Sequence, residues 1–223
     1  LFLKEHFSEV TEEARRALEP YAKSARILGE PHIMRGDKLI VNNHAYSTDD
    51  IYSMPDKLKP ENTATLSNDT TVVFHGRESY LSNFFHAPIN IDNQQFSCNE
   101  QYYVHKLAEH FQDEEIAAKA LKEPNPSVCK GMMRRIKNFR KQEADRFGRK
   151  FLYNANLAKF EQHSDLAQQL LHTGDKRIGE ATKDRIWGIA MHPWERNVLN
   201  PSMWSGENTQ GKILEEIRNH LRT

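Results

Sequence analysis

The chain has 223 residues, of which 38% are hydrophobic and 28% charged. That supports one large domain, or one domain with an appendage, built around a real core. Lysine plus arginine equals aspartate plus glutamate, 31 against 31, which argues against a chain devoted to wrapping nucleic acid but leaves room for a local basic patch.

The start, Leu1-Phe2-Leu3-Lys4, has no methionine, basic n-region or cleavage site, so it reads as a trimmed or fragmentary start and not as a signal peptide. Phe7, Val10, Ala14, Leu18, Tyr21, Ala25 and Leu28 recur at three- and four-residue spacing and predict a helix, stopped by Gly29 and Pro31. Pro20 predicts a kink or a division into two shorter helices. Lys38–Val41 predicts a strand, Asn42-Asn43 a turn, and Ala45–Ser47 the return. From Pro55 to Thr70, proline, asparagine, serine and threonine dominate without apolar periodicity, which predicts a linker or surface loop.

Beyond it, Thr71–Phe74 is a β-branched and aromatic strand, and Ile89–Ile91 predicts another beside an Asp92-Asn93 turn. Asn99 to Leu121 predicts a helix with a break near Asp113. Further helices are predicted at 126–136, 141–156, 164–171 and 208–221, the last with Asn208 as N-cap. The expectation is an α+β, mainly helical fold with a small β-sheet, plus an N-terminal helix and hairpin. Residues 1–58 form the helix–hairpin segment, 59–70 the linker and 71–223 the main domain. No stretch approaches about 18 consecutive apolar residues, so neither a membrane span nor a membrane partner is expected. Cys98 and Cys129 lie far apart without CxxC spacing, which favours a reducing cytoplasmic or nuclear compartment over a disulfide framework.

On the helix beginning at Asn99, Glu100 shares a stripe with Tyr103, Leu107 and Phe111. A carboxylate aimed inward is costly unless paired or protonated, and such a group suits acid–base work or the steadying of an oxocarbenium ion. The plainer reading is a first-turn glutamate favouring the helix dipole. Eleven histidines invite a metal reading, but there is no HExxH, and His105 and His110 fall on different helix faces. No metal and no cofactor is expected. His75 and His86 flank the Ser82-Asn83 loop. The run Arg134-Arg135-Ile136-Lys137-Asn138-Phe139-Arg140-Lys141 reads as a solvated face or as a seat for a nucleic-acid backbone.

Two resemblances follow. Arg35-Gly36-Asp37-Lys38-Leu39-Ile40-Val41-Asn42-Asn43 with Tyr46 resembles the C-terminal part of a LINE-type retrotransposon first-reading-frame protein, where a helix and hairpin close a small nucleic-acid-binding domain. It reads equally as an accessory layer on the main domain. The second resemblance rests on several motifs in order: Val72–Gly76, Leu81-Ser82-Asn83-Phe84-Phe85, Glu100-Gln101-Tyr102-Tyr103, Ala158-Lys159-Phe160, Leu170–Asp175, Ile178–Ala181 with Asp184–Gly188, and Trp204–Gly211. Together they resemble the NADAR (YbiA-like) superfamily.

That resemblance implies a YbiA-like fold and cleavage of an N-glycosidic bond between ribose and a base. The implied partner is an ADP-ribose-containing substrate, ADP-ribosylated DNA or RNA among its forms. The implied route is lysine attack on the anomeric carbon to give a ring-opened Schiff base. It also implies catalytic roles for Glu100, Lys106 and Asp184, and substrate contacts from Gly76, Ser82, Asn83, Phe84, Tyr103, Lys159, Trp187, Gly188, Trp204 and Asn208. Many relatives carry lysine seven residues after the glutamate, where this chain has Leu107. Lys106, about 120° around the helix from Glu100, is the expected amine; Lys159 or an impaired member are the alternatives. Trp187 offers a flat wall for a base, and Gly206, Asn208 and Gly211 offer backbone N–H groups to a phosphate. A non-catalytic reader of ADP-ribose, or nucleic-acid binding through the first segment, are the competing functions.

Overall fold

The computed structural model describes residues 2–223, with side chains from Ala14 onward apart from Tyr52, and Glu12 before them. Helix α1 (Phe2–Ile27) runs without a break through Pro20, so the expected division does not occur. The side chains of Phe7 and Val10 lie outside the described residues. Leu18, Ala22 and Ala25 are buried, whereas Leu28 is exposed past the helix end. Strands β1 (His32–Arg35), β2 (Lys38–Val41) and β3 (His44–Tyr46) form an antiparallel sheet in that order, β1 being a strand the sequence did not announce. Asn42 and Asn43 both take positive φ, as the hairpin turn requires. α1 and this sheet close their own small core from Leu18, Ala22, Leu39, Val41, Met54 and Leu58.

The stretch expected to be a linker is ordered. It holds a 3-10 turn (Asp56–Leu58), a single helical turn α2 (Pro60–Thr63) and strand β4 (Thr65–Ser67). β4 pairs antiparallel with β5 (Thr71–Phe74), and Asn68 closes the tight connection through its side chain. Polar composition hid this because short edge strands need only alternate residues buried. Ser24 and Thr63 hydroxyls, 3.0 Å apart and buried, tie α1 to this stretch, and the His75 amide donates to the Ala64 carbonyl.

The main layer is helical. β6 (Ile89–Ile91) and β7 (Gln94–Phe96) form a hairpin ahead of α3 (Asn99–His110). Asp113 caps α4 (Glu114–Lys122), which is the break expected there. α5 (Pro126–Met133) ends three residues early, and α6 (Lys141–Gln162) runs six residues past its expected end. α7 (Ser164–His172) leads into β8 (Arg177–Glu180), a strand too short to show in the pattern. β8 pairs parallel to β5, with Glu180 opposite Phe74. α8 (Thr209–His220) closes the chain, with Asn208 in the left-handed cap position. Phe74, Leu107, Phe111, Leu152, Phe160, Leu170, Ile213 and Ile217 belong to the central core. The result is the mainly helical α+β architecture expected. No helix among the described residues is long and apolar enough to cross a membrane.

Candidate active site

A cleft of about 280 Å³ opens where α3, α5, α6 and the end of β8 meet. Met133, Phe139, Ala144 and Leu152 give it an apolar wall; Glu100, Lys130, Glu180 and Asp184 supply charge. Tyr103 and Trp187 meet edge to face, ring centroids 5.9 Å apart, as a second wall. Gly148 permits this pair, because a Cβ there would lie 2.9 Å from the Tyr103 Oη and 3.3 Å from the indole.

Glu100 is the inward carboxyl that helix periodicity pointed to. It is 6% exposed, and its amide donates to the Asn83 carbonyl. Burial pushes its pKa up to about 7; the Lys130 charge opposes the rise and Glu180 adds to it. Glu180 is likewise pushed up to about 7, first by burial, against Lys130 and with help from Asp184. Sequence alone does not mark Glu180 as a site residue, since a single glutamate at the end of a four-residue strand carries no periodic signal. Lys130 was missed altogether. Its amine lies 5.4 Å from the Phe84 ring centroid and bears on both carboxyls. Only tertiary packing brings α5 to Glu100; the i, i+3 pairing of Lys130 with Met133 on the cleft face is the faint signal available.

Several expected residues lie elsewhere or work differently. Lys106 does not line the cleft: it sits 2.5 Å from Glu109, one turn along the outer face of α3. Leu107, where the family resemblance implies a lysine, is fully buried in the core. Lys159 is fully buried, and its amine donates to the Tyr80 and Ser82 carbonyls at 2.9 and 3.1 Å. It pins the Leu81–Phe85 loop from below, and burial pushes its pKa down to about 7.

Asn83 lines the cleft, but its amide is engaged. It donates to Gln210 and accepts from Asn99 and Asn156, and Gln210 closes the ring onto Asn156. Ser82 and Gly76 lie in a neighbouring recess, with His75, whereas His86 is exposed and lines neither.

Asp184 accepts from the Ile186 and Trp187 amides at 2.8 Å, so it shapes the turn that presents Trp187 as well as edging the cleft. Gly188 lies under that turn; a Cβ there would come 2.8 Å from the Glu180 carbonyl. Trp204 packs on Gly179 and donates to the Val198 carbonyl, outside the cleft. Asn208 accepts from the Glu180 amide and donates to the Ile178 carbonyl, so it positions the carboxyl-bearing strand. Of the three amides expected to face a phosphate, those of Gly206 and Asn208 donate to the Ile189 and Gly188 carbonyls and are not offered to one, whereas Gly211 lies in the first turn of α8. In the basic run, Lys141 pairs with Asp145 and Arg140 with Glu143. Among the described residues no group of three or more side chains suits a metal ion.

The arrangement places two carboxyls able to exchange protons at neutral pH beside the Lys130 amine, between an apolar and an aromatic wall, while the second lysine lining the cleft, Lys141, is paired with Asp145. Three comparisons bear on what such a cleft belongs to. N-glycosidase R617 of Acanthamoeba polyphaga mimivirus is 31% identical over 170 residues, covering 69% of this chain and 97% of that protein. N-glycosidase YbiA of Escherichia coli (strain K12) is 30% identical over 158 residues, covering 69% and 89%. Protein irg-1 of Caenorhabditis elegans is 32% identical over 132 residues, and the chain spans 62% of its length. The NMR structure of the E. coli protein YbiA superposes with a TM-score of 0.57 at 27% identity, covering 71% of this chain and 89% of that one. The NADAR domain model matches residues 73–222, the part that carries the whole cleft, and the chain belongs to the NADAR domain family.

Proposed function

We propose that the chain is an N-glycosidase that cleaves the bond between a ribose and a nucleobase, acting on ADP-ribose carried by guanine in nucleic acid. The observation that carries this reading is the meeting of Glu100, Glu180 and Lys130 in one cleft. Relatives at about the same identity that are named N-glycosidases support the reaction class.

In this reading the Lys130 amine attacks the anomeric carbon. As its nitrogen–carbon bond forms, the bond to the base breaks and its electron pair returns to the base nitrogen, which takes a proton from the Glu100 carboxyl. Glu180 accepts a proton from the amine and passes it to the ring oxygen as the nitrogen lone pair breaks the anomeric carbon–oxygen bond and opens the ribose to the Schiff base; water then adds to that carbon, releases the sugar and restores the lysine. Carboxyls poised at about 7 supply both protonation states at neutral pH. Tyr103 and Trp187 flank the place for a flat base. Arg134 and Arg135, which have no ion-pair partner among the described residues, provide charge for a nucleic-acid backbone.

The test is incubation with an ADP-ribosylated guanine oligonucleotide, with and without borohydride, followed by chromatography and peptide mapping. Released ADP-ribose and a reduced sugar adduct on the Lys130 peptide are expected. An adduct on Lys106 or Lys159 would move the amine, and neither product nor adduct would end the reading.

A further inference from the structure

Past Lys130 and Phe84 the cleft continues into a second recess, also of about 280 Å³, with which it shares Phe84, Lys130, Glu180 and Thr182. His75, His192 and Trp194 also line this recess. His192 and Trp194 stack with centroids 4.4 Å apart and 10° between their planes. Trp194 is nevertheless 42% exposed, a large aromatic surface left open beside a cavity.

α1 reaches this recess from outside the segment that matches the NADAR domain. The Arg26 guanidinium carbon lies 5.9 Å from the Trp194 ring centroid. Lys23, one turn earlier on the same helix face, stands near enough to His75 to oppose its protonation, on top of the larger effect of burial. The two cations therefore bear on two residues that line one recess, Arg26 on Trp194 and Lys23 on His75. Neither is in an ion pair among the described residues. Two carboxyls bear on the recess: Glu180, which lines it, and Glu78, whose Oε2 lies 2.8 Å from the position of a Cβ on Gly76.

We infer that the recess is a subsite for a phosphate-bearing nucleotide arm of the substrate, its base lying along the His192–Trp194 wall and its phosphates between Lys130, Lys23 and Arg26. The inference rests on the glycosidase reading of the cleft, since it treats the recess as the continuation of one substrate. An arginine fork and two lysine point charges suit phosphate, and the exposed indole suits a base. It also gives α1 a task in binding, so that the first segment completes the site built by the family domain.

Calorimetry on the full chain with ADP and with adenosine tests this. ADP is expected to bind more tightly than adenosine, by an amount that shrinks as salt is added. In the Lys23→Ala/Arg26→Ala double variant, both substitutions fall at exposed positions and leave the fold intact. That variant should lose roughly tenfold in ADP affinity, the scale of one charge-assisted hydrogen bond, and nothing in adenosine affinity. Trp194→Ala should weaken both ligands. Equal ADP affinity in the double variant and the parent, or no ADP binding to the parent, overturns the inference. Failure of the glycosidase reading looks different: no ribosyl–base bond is cut, while charge-dependent ADP binding persists.

Discussion

Two polar layers meet at the cleft, one beneath its surface and one on it. In the lower layer Asn83, Asn99, Asn156, Gln210 and Lys159 are all buried, and their side chains bond to each other or to backbone carbonyls. In the upper layer the carboxyls of Glu100 and Glu180 and the amine of Lys130 have no hydrogen-bond partner among the described residues. A buried network bonded within the protein fixes geometry, even with the Asn99 Oδ1 left without a partner, whereas ionisable groups at a cavity that no protein group holds are free to meet a ligand. The difference separates scaffold from chemistry without reference to residue type: of two lysines in the same region, Lys159 belongs below and Lys130 above.

The largest expected effect breaks the upper layer. Glu100→Gln and Lys130→Ala should each lower kcat on a ribosylated substrate by at least about a hundredfold, the lower range for a lost proton-transfer group. Both should melt at or above the parent temperature, because Glu100→Gln removes a costly buried carboxyl and Lys130 is exposed. A Glu100→Gln protein that keeps its turnover and loses stability would move Glu100 into the scaffold.

Breaking the lower layer should have the opposite signature. Lys159→Ala leaves the Tyr80 carbonyl unpaired, leaves the Ser82 carbonyl with the Phe85 amide alone, and opens a hollow beneath the loop, a loss of about 2–5 kcal/mol in urea unfolding. Turnover should fall only as far as the Leu81–Phe85 loop shifts.

The two layers also titrate in opposite senses. Glu100 and Glu180 rise from an ordinary 4.5 to about 7, so between those values the folded state holds protons that the unfolded chain has lost. Stability should fall there as pH rises. Lys159 drops from 10.5 to about 7, so between about 7 and 10.5 the unfolded chain holds the extra proton. Stability should climb with pH across that window. Urea midpoints against pH should therefore show a minimum near neutrality. Glu100→Gln should flatten the acid side and Lys159→Met the alkaline side; an alkaline slope unchanged in Lys159→Met would mean that Lys159 is not the group responsible.

What the sequence revealed followed the same physics. Glu100 was legible because α3 is long enough for its apolar stripe to declare a direction, and a carboxylate on that stripe is conspicuous. The break near Asp113 and the start of α8 after Asn208 were legible from sequence, although Asn208 makes no side-chain cap bond and holds its place through a left-handed backbone instead. Strands β4 and β8, of three and four residues, were not, since so few positions cannot establish a period. With β8 unseen, Glu180 had no direction to point in. Lys130 lies thirty residues from Glu100 on a separate short helix, and only the packing of α3 against α5 joins them. The amide ring was hidden for a similar reason: its four members come from a loop and three different helices.

The smallest expected effect concerns the lysine that sequence reasoning favoured. Lys106 lies on the turn next to Glu100, yet its amine is held by Glu109, which also approaches His105 at 3.2 Å. That pairing raises the pKa of the Lys106 amine, chiefly through the hydrogen bond, so the amine stays protonated and non-nucleophilic at neutral pH. An exposed pair of this kind contributes little, so Lys106→Ala should change stability by about 0.5 kcal/mol or less. Its turnover should stay within roughly twofold of the parent, a barrier change below about 0.5 kcal/mol. Side-by-side rates for Lys106→Ala and Lys130→Ala on one substrate decide the matter. A collapse in the first with survival of the second would mean that α3 rotates or unwinds when substrate binds, bringing Lys106 into the cleft.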